Sequence, residues 1–548
     1  MKITHGEKTL TISESMTVEQ ALRALSACPE GTVAALENGA VAELNASVRS
    51  DCTLTPLTPS DEEGRRVYER SLRFVLLLAL RRLYPARQVR IEYSAGQGVY
   101  VRLPGMTLTA LDVAGVEAQM RALTAEDLPF EKRRWQKEEA IAYFRQDGQE
   151  DKVALLRRRP FDFFDMYCCG GMWEYFYGAM APSTGYVRVF SLKAHNGGLV
   201  MLLPDRADPA QPAAYVDRPK HLAVFDQSAR WCEILGVTNA SDLSDMMEQH
   251  RLRAFIRVNE ALHDQAIADI ARQIVGGGKR IVLIAGPSSS GKTTFAGRLG
   301  VHLTVLGRRP VQISLDNYYR NRDELPLEAD GSVDLEALHT IDVALLQEHL
   351  AKLLAGEKVE IPRFDFPTSR RLPKGVPLRL EPGQPVIIEG IHGLNPALSD
   401  HLPQEVIHRI FVSALTCINL DDHNRIRTTD VRLLRRIVRD HQFRGTSPEN
   451  TLKMWGSVRR GEETWIFPYQ ELADSVFNTA LHYELPVLRH FALDLLRQVT
   501  PGTPEDVMSH RLRKVLHYFP QIDEEVLDEV PPLSLLREFI GGSTREKE

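Results

Sequence analysis

Residues 280–294 read Arg280-Ile281-Val282-Leu283-Ile284-Ala285-Gly286-Pro287-Ser288-Ser289-Ser290-Gly291-Lys292-Thr293-Thr294. The opening six form an apolar, β-branched run of the buried-strand type, and the remainder fits G-x-x-x-x-G-K-[ST]. Every residue type there has a physical task. Gly286 and Gly291 let backbone N–H groups wrap a phosphate, with Ser288, Ser289 and Ser290 inside the wrap. The helix expected over Phe295–Leu306 turns its positive end to the anion, and Thr294 belongs to that cradle. Lys292 neutralises β/γ charge, and the Thr293 hydroxyl suits Mg²⁺. This stretch predicts an α/β phosphate-loop domain, a parallel sheet flanked by helices, that binds a nucleotide phosphate with Mg²⁺.

A phosphate loop does not separate GTPase from ATPase or kinase. A guanine-reading N-K-x-D is missing, because no Asn in the chain is followed by Lys. Val311–Leu315 predicts a second strand with Asp316 at its carboxyl end, where ligands of open α/β sheets sit. Asp316 is therefore a candidate base for an attacking hydroxyl. Pro385–Gly390 predicts a third strand whose Glu389 can hold Mg²⁺ through water, alongside Thr293. Arg425–Arg439 predicts a basic helix. Its Arg432, Arg435, Arg436 and Arg439 share a face that repels itself unless an anion arrives. That suits a lid closing on a transferring phosphoryl group, with Arg432 and Arg435 as candidate catalytic arginines. Asp430 and Asp440 are expected to pair with some of these arginines.

The chain has 548 residues, room for three to four domains at about 150 residues each. Lys+Arg 67 against Asp+Glu 73 gives a net charge of −6, which argues against a broadly basic nucleic-acid-binding surface. Six cysteines, at 28, 52, 168, 169, 232 and 417, form no evenly spaced framework and no C-x-x-C pair, so a reducing cytoplasm is expected. Cys168-Cys169 is read as packing rather than metal binding. The longest apolar run, Phe74–Leu80, is far too short to span a bilayer. Met1–Leu10 carries charges where a secretory signal needs an apolar stretch.

Residues 1–58 predict short strands around one helix (Val18–Leu25), a β-grasp-like module with a turn at Asn38-Gly39. Ser60 to Glu63 looks like a capping box opening a helix to Arg82. Strands are expected over Val89–Tyr93 and Gly98–Leu103. The proline-bearing stretch Pro204–Pro219 is expected to be an exposed loop. Helical spacing runs from Asp242 to Val275 until Gly276-Gly277-Gly278 stops it. The expected division is 1–58, 59–240, 241–500 and a C-terminal helical extension with a frayed tail over 501–548.

Several motifs in order carry a resemblance to the uridine kinase and phosphoribulokinase family: the phosphate loop, Leu315-Asp316-Asn317-Tyr318-Tyr319, Val333-Asp334-Leu335-Glu336-Ala337, Arg363-Phe364-Asp365-Phe366, Ile388-Glu389-Gly390-Ile391 and Asp430 to Asp440. The resemblance implies that Lys292 and Thr293 serve ATP and Mg²⁺, that Asp316 is the base for a primary hydroxyl, and that Asp334 grips acceptor hydroxyls. It also implies that Tyr318, Tyr319, Phe364, Asp365 and Arg439 surround the acceptor under the lid. In place of the Tyr and His that uridine kinases carry near the base-reading loop, this chain has Arg363 to Arg371, which puts uridine itself in question. Residues 1–200 resemble the front of threonyl-tRNA synthetases: a TGS-type module, carried by Asn38-Gly39 and Leu44, then the α+β second additional domain, carried by Asp61 to Gly64 and Leu83-Tyr84-Pro85. The synthetase editing histidines align with Arg70 and Phe74, and neither H-x-x-x-H nor C-x-x-x-H occurs among the 17 His and six Cys. Editing chemistry is expected to be absent.

The expected activity is transfer of the ATP γ-phosphate to a primary hydroxyl of a small-molecule acceptor, the 5′-hydroxyl of a nucleoside. A sugar or sugar-phosphate kinase is the nearest alternative. An RNA- or tRNA-associated nucleotide sensor is the alternative from another class. No membrane partner is implied, and a homo-oligomer stays open.

Overall fold

The computed structural model describes residues 1–159, 161–327, 333–366 and 368–544. Pro367 of the expected acceptor loop and Arg545–Glu548 of the expected tail lie outside the described residues.

Five parallel strands form the sheet of the C-terminal half, in the spatial order 311–314, 386–389, 281–285, 407–413, 475–478. Their apolar runs are covered on both faces, as parallel strands require. Ile281, Leu283 and Ile388 pack toward the helix Val343–Leu354, and Val282, Ile284 and Ile387 toward the helices Leu252–Gly276 and Lys292–Val305. The phosphate loop leaves the central strand, so it faces the carboxyl ends of both neighbours.

The front of the chain holds a five-stranded mixed sheet crossed by the helix Val18–Ala24. Asn38 and Gly39 make the two-residue turn of its hairpin, with φ of +50° and +82°, as a primed turn demands. Gly39 also touches the far end of the chain. A Cβ there would lie 2.8 Å from the Gly502 carbonyl oxygen. The next body wraps a three-stranded and a four-stranded antiparallel sheet around the helix Glu62–Leu83, which is buried over most of its length. Phe74 in this helix is fully buried between Phe130 and Phe176, and Arg70 donates to the Ala179 carbonyl. Cys169 is buried in the same core, and burial pushes its thiol up to about 12.

Three local expectations need correction. The N-cap of that long helix is Asp61 without a capping hydrogen bond. Its carboxylate accepts from Thr58, while Glu63 pairs with Arg66 and Arg511 instead of closing a box. The helical pattern from 242 to 275 is two helices, Ala240–Glu248 and Leu252–Gly276, separated where His250 takes φ +55°. Residues 504–540, expected as an extension, are built into the structure. Leu512, Leu516, Phe519, Val526 and Phe539 share one apolar core with Leu434 and Ile437 of the helix Thr428–Arg444.

A short hairpin, Asn419–Asp421 with Asn424–Arg425, locks the C-terminal half to the second body. Lys152 is 1% exposed and lies 2.9 Å from Glu174 and 3.0 Å from Asp421, both 0% exposed. Against the upward push of burial, Lys152 and His423 hold the Glu174 carboxyl down at about 2. Arg66 reaches Asp430 at 2.9 Å, and Glu69 receives Arg425 and Arg427. Among the described residues no helix is long and apolar enough to cross a membrane.

Candidate active site

The phosphate loop has the geometry its glycines allow. A Cβ on Gly286 would sit 2.0 Å from the Val412 carbonyl oxygen, and Gly291 has φ +86°. Ser289 takes φ +58°, a conformation disfavoured for a residue with a Cβ. The Ser289 and Ser290 hydroxyls are buried without a hydrogen-bond partner among the described residues. Orphaned donors inside a glycine-bounded cradle fit a phosphate. Lys292 Nζ donates to the loop's own Pro287 carbonyl at 3.1 Å. Burial lowers its pKa, opposed by Glu389, Glu538 and Asp316.

Two carboxylates converge beneath that lysine from neighbouring strand ends. Glu389 accepts from the Thr293 hydroxyl at 3.3 Å. Burial, reinforced by Asp316, pushes the Glu389 carboxyl up to about 7. Asp316 is likewise raised by burial, with Lys292, Arg444 and Arg439 opposing. Such a pair holds one proton more readily than two charges. The oxygen donors of Thr293 and Glu389 suit Mg²⁺, which needs only one or two carboxylates besides phosphate and water. When bound there, the ion would neutralise phosphate charge.

The helix Thr428–Arg444 lies over the loop, and here the arginine assignments change. Arg432 is 1% exposed and pairs with Glu462, with Nη2 to Oε2 at 2.7 Å, while also donating to the Ser288 carbonyl at 3.0 Å. Arg435 is 0% exposed and holds Glu484 and Thr479. Both charges, expected to be catalytic, are compensated inside the protein: Arg432 ties the helix to the loop, and Arg435 ties it to Thr479 and Glu484. Arg436 donates to the Ser288 hydroxyl at 2.8 Å. Arg436, Arg439 and Arg444 share Asp440, and Arg439 and Arg444 are the arginines acting on Asp316. Asp430 instead serves Arg66 and Arg511.

The acceptor side also divides. Tyr319 meets Phe364 and Phe366 at ring separations of 5.6 and 6.1 Å, and its phenol is raised by burial and by Asp316, Glu336 and Glu389. Tyr318 points the other way, fully buried in the core with Oη 3.0 Å from His349 Nδ1, so its expected substrate contact is withdrawn. The Asp365 carboxylate is engaged in its own turn by Thr368. Asp334 accepts from the Glu336 N–H at 3.0 Å.

Four residues here were missed in the sequence. Burial pushes Glu336, half-buried near Arg436, up to about 7. His392 is 1% exposed, with the Glu336 backbone facing its ring. Burial lowers its pKa to about 4, near Asp334 and Lys292. Glu462, besides Arg432, accepts from the Ser288 N–H at 3.1 Å. Glu538 accepts from the N–H and hydroxyl of Thr294. The position of His392, three residues beyond Glu389 at a strand end, was the one available signal.

A phosphate loop on the central strand, with carboxylates at the ends of the neighbouring strands, defines a phosphate-loop nucleotide-binding domain. Residues 281–484 match the phosphoribulokinase/uridine kinase family. The chain is 31% identical over 198 residues to the uridine kinase of Deinococcus deserti, covering 36% of this chain and 86% of that protein. It is 31% identical over 195 residues to the uridine kinase of Halobacterium salinarum, covering 35% and 77%. The chain belongs to the phosphoribulokinase/uridine kinase family. Its N-terminal region is 31% identical over 171 residues to the threonine–tRNA ligase of Symbiobacterium thermophilum, covering 31% of this chain and 26% of the ligase. The chain thus spans about a quarter of that relative.

Proposed function

We propose that the protein is an ATP- and Mg²⁺-dependent phosphotransferase acting on the 5′-hydroxyl of a nucleoside. One observation carries this reading: Asp316 lies within electrostatic reach of Lys292 on one side and of Tyr319 on the other, and the Tyr319 ring packs with Phe364 and Phe366. The carboxylate can take or steer a hydroxyl proton where Lys292 meets the terminal phosphate, and the rings offer a face for a planar base. The reaction asks chiefly for positioning and charge neutralisation, which Lys292, Arg439 and Arg444 supply. The front half is read as a TGS-type module followed by an editing-type α+β domain, a reading supported by the ligase similarity and by the small mixed sheet with one helix. In that body Arg70 and Phe74 serve packing.

The test is a panel of nucleosides and pentoses, each with ATP and Mg²⁺, scored by ADP release from wild type and Lys292→Ala. The expected result is turnover with at least one nucleoside, abolished in Lys292→Ala. Turnover with pentoses or sugar phosphates alone would make the protein a sugar kinase. Turnover unaffected by Lys292→Ala would overturn the site itself.

A further inference from the structure

Away from the phosphate loop, an open cavity of about 740 Å³ lies between the edge of the first sheet near Glu43, the strand Glu131–Gln136 and the helix Pro504–Leu516. Its size is that of a small-ligand pocket. Arg159 on its wall is 7% exposed, and its Nε and Nη1 have no hydrogen-bond partner among the described residues. The guanidinium lies 4.1 Å from the Tyr518 ring centre and 4.6 Å from that of Phe161, so aromatic faces hold it in place but no anion meets it. Lys514 makes no ion pair among the described residues, and burial together with Arg70, Arg159 and Lys132 pushes it down to about 8. Of the acids at the rim only Asp165 acts on Lys514, and it does not outweigh burial and the neighbouring cations. Asp165 is engaged by Lys132 at 3.3 Å and Arg134 at 3.1 Å, Glu43 accepts from the Tyr167 hydroxyl and the Met180 N–H, and Asp162 is exposed.

Two cations without partners call for an anion, since a buried charge is tolerated only when it is met. Two large rings on the same wall, Phe161 at 47% and Phe163 at 50% exposure, offer stacking faces. A bare phosphate would leave those rings uncovered, and an apolar ligand would strand both cations. We infer that this cavity binds a nucleotide, its phosphate taken by Arg159 and Lys514 and its base stacked on Phe163, since the Phe161 ring already packs on Arg159. The nucleotide can be free or the end of a single-stranded RNA, which presents the same phosphate and base.

The test uses the intact protein and a 5′-phosphorylated, fluorescein-labelled octa-adenylate RNA, with binding followed by anisotropy and AMP as competitor. Lys514→Gln, Arg159→Gln and Phe163→Ala are expected each to weaken binding at least fivefold. Phe163→Ala removes only a half-exposed ring, so an unchanged unfolding midpoint in that variant keeps the result interpretable even where Arg159→Gln folds poorly. Displacement by AMP identifies a free nucleotide as sufficient. Variant-sensitive binding that AMP does not displace identifies the strand end. Two outcomes overturn the inference: binding within twofold of wild type in all three variants, or loss in Lys514→Gln without loss in Phe163→Ala, which would mean a polyanion surface. Absence of binding by either probe overturns it as well.

Discussion

Glu538, ten residues from the end of the chain, accepts the backbone N–H of Thr294 at 3.2 Å and its hydroxyl at 2.7 Å. Thr294 is the third residue of the helix Lys292–Val305, so this carboxylate satisfies one of the orphan donors that a phosphate loop offers to a nucleotide. A nucleotide phosphate drawing on those donors must displace it. Glu538→Ala should therefore bind ATP about tenfold more tightly, roughly 1.4 kcal/mol, by calorimetry. Unchanged or weaker affinity would make Glu538 a cap for the helix and nothing more.

Glu389 sets a pH dependence. Its carboxyl is raised to about 7, so the ionised form that holds a cation is lost as pH falls below that value and is complete above it. Because Asp316 is close enough to perturb it, the observed midpoint belongs to the pair of carboxyls and not to Glu389 alone. Apparent Mg²⁺ affinity in the presence of ATP should rise up to about tenfold per pH unit between about pH 5.5 and 6.5 and level off above about pH 7.5. Glu389→Gln should flatten the curve. A flat wild-type profile would place the ion elsewhere.

His392 is neutral at physiological pH and, with the Glu336 backbone facing its ring, stands near Asp334, placed to grip an acceptor hydroxyl or base edge. His392→Leu should raise the acceptor KM about tenfold, the scale of one hydrogen bond to a buried group, with the ATP KM within about twofold. Equal changes in both constants would point to a disturbed fold.

Lys152 is tested by stability. Removing the cation from between two fully buried carboxylates leaves Asp421 without a cation and Glu174 with His423 alone, at a cost of about 3–5 kcal/mol. Lys152→Met should lower the urea midpoint accordingly while leaving its slope unchanged. A loss under about 1 kcal/mol would show that Glu174 and Asp421 are not both carried as ions.

The phosphate loop was readable because each of its residues has a task set by local backbone geometry, and the strand-end positions of Asp316 and Glu389 follow from the pattern of apolar runs. What was hidden depended on distant partners. Nothing near Arg432 or Arg435 announces Glu462 or Glu484, 30 and 49 residues away, which turn two apparent catalytic charges into anchors. Tyr318 and Tyr319 are adjacent, and only the short 3₁₀ turn Leu315–Tyr318 decides which faces the core and which the acceptor. Glu538 was beyond reach for the same reason: its partner Thr294 lies 244 residues earlier.

The contact of Arg66 with Asp430, repeated across the hairpin at Asp421, bears on any attempt to excise the catalytic half by starting expression near residue 240. Such a fragment would keep the two acids and lose Arg66 and Lys152, leaving Asp421 without its cation and Asp430 with Arg511 in place of two arginines. The kinase domain is thus a resident of this longer chain, and its smaller relatives are a poor guide to where it can be cut.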